Sequence, residues 1–167
     1  MKKLGPPDSH HLDAAIGWLG LGAEADAIEE LDRISKSKQN HPDVLDLRWT
    51  ICAQHEDWAQ ALLIAQTLVQ LAPRRASSWL HYAYALRRVP EGGLEKARAI
   101  LQPAAEKFPE EPIIPFNLAC YACQMRKPEA ALEWLRRALD LGGKSRIKAM
   151  ALQDGDLKPL WPEIEKL

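Results

Sequence analysis

Residues 57–73 read DWAQALLIAQTLVQLAP, and residues 93–109, GLEKARAILQPAAEKFP, repeat the same pattern in the same register. In both stretches an alanine, Ala61 or Ala97, is followed by apolar residues four and seven positions later and by a proline five positions after that. Spacings of three and four residues place these side chains on one face of an α-helix, and the closing proline cannot continue the helix before it. Each stretch therefore predicts an amphipathic helix with one buried stripe.

The pattern occurs four times along the 167 residues. The alanines at the start of the stripe, which recur at spacings of 34, 36 and 34 residues, are Ala27, Ala61, Ala97 and Ala131. A period of this length is typical of stacked helical hairpins, none of which buries its apolar face alone. We therefore expect an all-α fold in one domain, 1–167, with hairpins at about 8–41, 42–73, 74–109 and 110–143.

Residues 144–167 depart from the repeat and are predicted to form a terminal cap. We expect a short helix through Ala151 and a last helix over about 157–166 that covers the open apolar face of the stack. Further expectations concern the ends of individual helices. Ser9 is the expected N-cap of the first helix, the second helix is expected over about 24–37, and Pro103 should bend its helix or end it early.

The repeats resemble those of the tetratricopeptide repeat (TPR) family over about residues 8–143, and the tail is similar to the capping segments that end many of its members. The signature of the second helix of a TPR hairpin is complete in the second and third hairpins, and Asp57 and Trp58 match the acidic-aromatic turn of the family. The first-helix signature is present in altered form, as in Trp79, Tyr82, Ala83 and Leu86. The resemblance implies a right-handed superhelical solenoid whose first helices line a concave groove that binds proteins.

The groove positions of the family, carried over one by one, give the candidate binding residues. In the second hairpin these are Asp43, Asp46, Thr50 and Gln54; in the third, Leu80, Tyr84, Arg87 and Arg88; in the fourth, Phe116, Cys120, Cys123 and Gln124. A neighbouring position that contacts ligand in some members holds His81 and Asn117. The lysines and asparagines with which one subgroup grips a terminal carboxylate are replaced here by Asp46 and Thr50, so we expect that clamp to be absent.

The most suggestive cluster among these candidates is Tyr84 with Arg87 and Arg88. A guanidinium fork recognises carboxylate or phosphate, and an aromatic ring adds amphipathic contact. The cluster therefore favours an acidic peptide as ligand. The alternative is that the two arginines are solvated cations at a helix end, where the helix dipole favours them.

No pattern in the sequence indicates catalysis, a cofactor or a metal. Cys120 and Cys123 lie three apart on one helical face, but the cysteines and histidines elsewhere do not follow metal-ligand spacing, so we expect the pair to pack or to line the groove. Neither a glycine-rich phosphate loop nor a nucleophile elbow occurs. The sequence thus predicts a non-enzymatic protein.

Charge and hydropathy exclude several partner classes. The net charge is −1, which gives no global attraction to nucleic acid or anionic lipid. The charge is uneven, with 6 basic and 11 acidic side chains in residues 1–70 and 14 basic and 8 acidic in residues 71–148. This pattern fits either ordinary solvated faces or a bipolar surface that orients a partner or a second copy. The sequence has no apolar run of eighteen residues and holds three cysteines, so we expect a cytoplasmic protein.

Six tryptophans are many for this length. Trp49, Trp79 and Trp134 fall on stripes that we expect to be buried, whereas an exposed Trp161 near the cap would indicate docking or self-association. Two functions remain open. The first is an adaptor that binds a peptide or helix in its groove, and the second is a homo-oligomeric structural component of a larger assembly.

Overall fold

The computed structural model describes residues 3–167, and all regular secondary structure in that range is helical. The α-helices are α1 (Asp8–Gly20), α2 (Glu24–Arg33), α3 (Pro42–Gln54), α4 (Trp58–Leu71), α5 (Ala76–Leu86), α6 (Leu94–Lys107), α7 (Ile113–Gln124), α8 (Pro128–Gly142), α9 (Lys144–Ala151) and α10 (Trp161–Ile164). Two 3-10 helices, Lys36–Lys38 and Gly155–Leu160, lie between them. None of the helices described in this range is long and apolar enough to cross a bilayer.

The chain divides into two compact units, Met1–His81 and Tyr82–Leu167, with the boundary inside α5. In the N-terminal unit α1 packs on α2 and α3 packs on α4. In the C-terminal unit α7 packs on both α6 and α8, and α9 packs on α8. Three of the predicted hairpins, α1 with α2, α3 with α4 and α7 with α8, are therefore paired as the repeat predicts.

The repeat register is confirmed by burial. The alanines that begin the stripe, namely Ala27, Ala61, Ala97 and Ala131, all have 0% exposure. The residues four positions later also have 0% exposure, namely Leu31, Ala65, Leu101 and Leu135. Those seven positions later have 0 to 2% exposure, namely Ile34, Leu68, Ala104 and Ala138. A methyl side chain at the first position leaves little room for a larger group, because buried side chains are packed at close to crystalline density.

Contacts from distant residues end α2 earlier than its sequence predicts. The helix stops at Arg33 rather than near residue 37, because the side chain of Gln39 donates to the carbonyl oxygens of Leu31 and Ile34 at 2.9 and 2.7 Å. The backbone N–H of Ser35 donates to the carboxylate of Asp8 at 2.8 Å. These side chains satisfy backbone groups that a further helical turn would have used.

The expected N-cap of α1 is wrong for a related reason. Ser9 lies inside α1, which begins at Asp8 and has Pro7 at the capping position without a side-chain hydrogen bond. The carboxylate of Asp8 does not cap its own helix, since it accepts the Ser35 N–H instead. Asp8 is consequently buried, with 8% exposure.

The third hairpin accommodates both of its irregular features. Of the two outcomes expected at Pro103, a bend or an early end, the early end does not occur, because α6 continues through the proline to Lys107. Pro103 and Ala99, whose carbonyl loses its usual donor, are both exposed, so water can satisfy that carbonyl. In the turn before α6, a Cβ on Gly92 would lie 1.6 Å from the carbonyl oxygen of Leu86. Only glycine fits there.

The tail after Gly143 is packed but is not the single helix predicted over 157–166. It contains α9, the 3-10 helix Gly155–Leu160 and the short α10, and Pro159 and Pro162 limit how far a regular helix can extend. Leu157, Leu160 and Ile164 are buried, and the 3-10 helix packs against α7. The tail therefore contributes apolar side chains to the core of its unit.

The tryptophans are less uniformly buried than their stripes suggest. Trp49 is buried with 8% exposure, as expected, but Trp79 and Trp134 are only half-buried. Trp161 is also half-buried rather than exposed, and its Nε1 donates to the carbonyl oxygen of Ala151 at 3.1 Å. An indole commonly buries its ring while its N–H finds a polar partner.

Candidate functional site

The candidate residues of the third and fourth hairpins meet in a pocket of the C-terminal unit, which we call the Arg87 pocket. It has a volume of about 220 Å³ and lies where the end of α5, the middle of α7 and residues 154–156 converge. Its lining residues are Tyr84, Arg87, Arg88, Asn117, Cys120, Asp154, Gly155 and Asp156. Five of these eight residues are candidates from the family positions, and three come from the tail.

Arg87 forms the central ion pair of the pocket. Its Nη1 donates to Oδ2 of Asp156 at 2.6 Å, and the two side chains are 14% and 27% exposed. The guanidinium also lies over the ring of Tyr121, 5.2 Å from the ring centroid. Burial disfavours the charged form of Arg87, but the hydrogen bond and charge of Asp156 outweigh it, so the pKa of Arg87 is raised above its ordinary value.

Arg88 is held beside Arg87 by its own helix. Its Nη1 donates to the carbonyl oxygen of Tyr84 at 3.0 Å, and its guanidinium stacks 3.6 Å from the centroid of the Tyr84 ring. Burial lowers the pKa of Arg88 from its ordinary value. The stacked, partly desolvated guanidinium is a rigid cation at the rim of the pocket.

Residues 154–156 are fixed over α7 by polar contacts. The side chain of Gln124 donates to the carbonyl oxygen of Asp156 at 2.9 Å, and the thiol of Cys120 donates to Oδ2 of Asp154 at 3.7 Å. The N–H of Asp156 donates to Oδ1 of Asp154 at 2.9 Å. Sequence reasoning missed both aspartates, because they follow the last repeat; the only signal was the acidic composition of the tail.

The remaining candidates of the fourth hairpin contribute little free surface. Phe116, Cys120 and Cys123 are buried, with exposures of 6%, 2% and 8%. The side chain of Asn117 donates to the carbonyl oxygen of Ile113 in its own helix at 2.9 Å. Burial raises the pKa of both thiols, which disfavours the nucleophilic thiolate.

Three of the described residues have the chemistry of metal ligands at one place. The ligand atoms of Cys120, Asp154 and Asp156 all lie within 4.8 Å of one another. A metal ion would need a deprotonated thiol, whereas burial and the charge of Asp154 raise the pKa of Cys120. Because Arg87 also holds Asp156, the arrangement favours the guanidinium over a metal ion as the counter-charge.

The candidates of the second hairpin form a separate ion-pair network in the N-terminal unit. Nη1 of Arg75 lies 2.6 Å from Oδ1 of Asp43 and 3.3 Å from Oδ2 of Asp46. On the other side of Asp46, Nε2 of His81 lies 3.4 Å from Oδ1. The ring of His81 stacks on Trp49, with centroids 3.8 Å apart and an interplanar angle of 15°.

Among the described residues, the ion pairs of this network do not include Thr50, Gln54 or Leu80. The hydroxyl of Thr50 donates to the carbonyl oxygen of Asp46 in the same helix at 3.0 Å. Gln54 is exposed and Leu80 is half-buried. The structure thus brings together the charged candidates of each unit and leaves these three apart.

Comparison with known proteins identifies the fold. No protein-family model and no curated protein matches the sequence. The solved structures similar to this chain include TTC0263, a thermophilic TPR protein of Thermus thermophilus, with a TM-score of 0.71 and 18% identity over 96% of this chain and 100% of that chain. MamA 41-end from Desulfovibrio magneticus RS-1 has a TM-score of 0.69 and 16% identity over 99% and 97% of the two chains. The MamA RS-1 ArsTM double mutant has a TM-score of 0.67 and 19% identity over 83% and 77%.

The chain has a TPR-like fold. This conclusion agrees with the paired helices and with the equal burial of the four repeat alanines. At identities of 16 to 19%, the likeness concerns the fold, and function has to be argued from the site.

Proposed function

We propose that this chain is a non-catalytic interaction module that binds a peptide or helix of a protein partner, with the Arg87 pocket as its main contact. The observation that carries the proposal is the pairing of two guanidinium groups, Arg87 and Arg88, at the mouth of one pocket beside the ring of Tyr84. Arginine and tyrosine are among the residue types that most often dominate binding energy at protein interfaces.

The chemistry of the pocket supports recognition rather than reaction. Its nucleophilic group, the thiol of Cys120, is buried and has a raised pKa. The guanidinium of Arg88 is fixed by the ring of Tyr84, which is the preorganisation that lowers the entropic cost of binding a partner. We place the partner among proteins and assign no role to nucleic acid, membrane or cofactor, and we propose a cytoplasmic site of action.

One observation favours a second candidate, a structural component that assembles from copies of itself. Near the end of α1, Ile16, Trp18 and Leu21 are 52%, 41% and 79% exposed. Large apolar side chains exposed near one helix end are available for contact with a second copy of the chain. Size-exclusion chromatography with light scattering separates the candidates, because a monomer favours the adaptor and a salt-sensitive dimer favours the assembly.

Affinity capture tests the adaptor function. The immobilised full chain is exposed to extract of its native cell beside the charge reversal Arg87→Glu with Arg88→Glu, and the co-purifying proteins are identified. A matched control reverses two exposed arginines, Arg74→Glu and Arg136→Glu. We expect a partner that the wild type and the control retain and the pocket variant loses. Equal recovery on all three proteins would reject the Arg87 pocket as the contact.

A further inference from the structure

The counter-charge of Arg87 comes from outside the repeats. Asp156 is 69 positions further along the chain and belongs to the tail that follows the last hairpin. Arg87 itself occupies one of the groove positions of the TPR family, where we expect a residue that contacts the partner. A carboxylate from the same chain therefore lies where a partner's carboxylate would be bound.

From this geometry we propose that the carboxylate of Asp156 occupies the site of a partner's carboxylate in the free chain. An acidic peptide then binds the Arg87 pocket by displacing residues 154–156, and one of its carboxylates replaces that of Asp156 on Arg87. The inference rests on the proposed function, because it names the chemistry of the partner and the way in which the free chain holds that site closed. The occupant is a peptide rich in aspartate or glutamate, selected by charge complementarity with Arg87 and Arg88.

The carboxylate of a partner can bind Arg87 more strongly than Asp156 does. It joins one guanidinium nitrogen, Nη1, to one carboxylate oxygen of Asp156 at 2.6 Å. A carboxylate that approaches freely can instead form the bidentate pair, with two parallel hydrogen bonds, that arginine makes with its strongest ligands. A partner thus has a differential interaction with the open state, which is the condition for it to shift the equilibrium.

Space for an incoming carboxylate exists next to the internal one. The pocket of about 220 Å³ is lined by Arg88 and Asn117 as well as by Asp156. An acidic side chain can therefore contact Arg88 while Asp156 is still on Arg87. The exchange does not need to leave Arg87 without a carboxylate at any stage.

Residues 154–156 can leave the pocket when the first turn of the 3-10 helix Gly155–Leu160 unwinds, and the rest of the tail can stay folded. They are anchored by the polar contacts of Gln124 and Cys120, and Gly155 is exposed. The apolar anchor of the tail begins only at Leu157, which has 0% exposure. Because opening exposes polar rather than apolar side chains, it gives up little of the hydrophobic burial that holds the tail in place.

The test compares the full chain with Asp156→Asn and with the matched control Asp140→Asn, an exposed carboxylate on α8. The probe is a fluorescein-labelled hexaglutamate peptide, with a hexaglutamine peptide for comparison, and the readout is the dissociation constant from fluorescence anisotropy. We expect Asp156→Asn to bind hexaglutamate about tenfold more tightly than the wild type, because the competing charge-assisted hydrogen bond is weakened. Asp140→Asn should match the wild type, and hexaglutamine should not distinguish the variants.

A second variant guards against a folding effect of Asp156→Asn. Gln124→Ala removes only the hydrogen bond to the backbone of Asp156 from an exposed side chain, and it should tighten binding about twofold to threefold by making opening easier. Circular dichroism should show the same helical content in all variants.

Each other outcome overturns a definite part of the proposal. If hexaglutamate binds the wild type, Asp156→Asn and Gln124→Ala equally, then Asp156 is not a competitor, while the Arg87 pocket remains an acidic-peptide site. If Asp140→Asn binds hexaglutamate as tightly as Asp156→Asn does, the gain in affinity comes from net charge alone, and a competing role of Asp156 is also rejected. If none of the proteins binds hexaglutamate, an acidic partner is excluded, and the proposed function is then decided by the affinity capture.

Discussion

The two compact units of this chain balance the charges at their candidate binding positions in different ways. In the N-terminal unit Asp43 and Asp46 are paired with Arg75 and His81, which lie at the start of the next hairpin. In the C-terminal unit the charge of Arg87 is balanced by Asp156, which lies beyond the last hairpin. The first arrangement is internal to the repeat, and the second depends on a segment outside it.

This difference indicates that the ion pairs of the N-terminal unit are structural, whereas Asp156 in the C-terminal unit can be exchanged for another carboxylate. Arg75 directly precedes α5 and His81 belongs to it, and His81 is further fixed by its stacking on Trp49. Separating Arg75 and His81 from the two aspartates would therefore disturb helix α5. Asp156 belongs to a short polar segment, so its departure disturbs little else. The comparison therefore favours the C-terminal unit for the proposed binding function, and mutations can test each half of it.

The largest effect is expected where the two units are alike, at the repeat alanines. Ala61→Leu in the N-terminal unit and Ala131→Leu in the C-terminal unit should each lower the free energy of unfolding by about 1 to 3 kcal/mol, because both sites are fully buried and overpacking strains the helix pair. Urea unfolding followed by circular dichroism measures the change. Ala59→Leu, at an exposed position of α4, is the control and should have little effect. Unchanged midpoints for both buried variants would contradict the repeat register.

The next effect concerns Arg87 itself. Arg87→Ala should lower the free energy of unfolding by about 1 to 2 kcal/mol, because it leaves the carboxylate of Asp156 partly buried without its charge-assisted hydrogen bond. A double-mutant cycle with Asp156→Asn measures the coupling of the pair. If the two single losses simply add, the ion pair contributes nothing to stability, and the tail is held by its apolar residues alone.

A smaller effect is expected for the corresponding cation of the N-terminal unit. Arg75→Ala should cost less than about 1 kcal/mol, because the Arg75 side chain is 35% exposed and solvent screens its contacts with Asp43 and Asp46. Urea unfolding at low and high salt measures it, and the cost should shrink with added salt. A cost larger than that of Arg87→Ala would reverse the comparison between the units.

Sequence alone predicted the repeating parts of the molecule well. The period placed the alanines of the stripe and their apolar followers correctly, because every hairpin buries the same positions. Arg87 and Arg88 became candidates only through the resemblance to the TPR family, whose groove positions they occupy. It did not find Asp154 or Asp156, because their contacts join the third and fourth hairpins to a tail that has no repeat to compare with. Periodicity describes what recurs, and the Arg87 pocket is closed by a segment that occurs once.

The ends of individual helices were predicted less well, for a similar reason. The end of α2 is set by Gln39, which lies in the connection after the helix, and by Asp8, whose contact with Ser35 reaches across the first hairpin. Neither capping residue belongs to the sequence of α2 itself. At Pro103 one of the two expected outcomes, an early end of the helix, does not occur. The rule that proline ends a helix is local, but this proline is exposed within a helix that continues past it.

The smallest effect is a difference in acid sensitivity between the units. The backbone hydrogen bond from Ser35 lowers the pKa of Asp8 from its ordinary value of 3.8, so Asp8 contributes stability above that value and loses it as the pH falls through the lower pKa of the folded state. In the C-terminal unit the hydrogen bond from Lys127 lowers the pKa of the exposed Glu95, which solvent screens more strongly. Urea unfolding midpoints are measured from pH 6 to pH 2.5. The difference in midpoint between the wild type and Asp8→Asn should shrink as the pH falls, and the difference between the wild type and Glu95→Gln should shrink by less. If the gap between the wild type and Asp8→Asn stays constant or widens on acidification, Asp8 does not hold the end of α2 as a carboxylate.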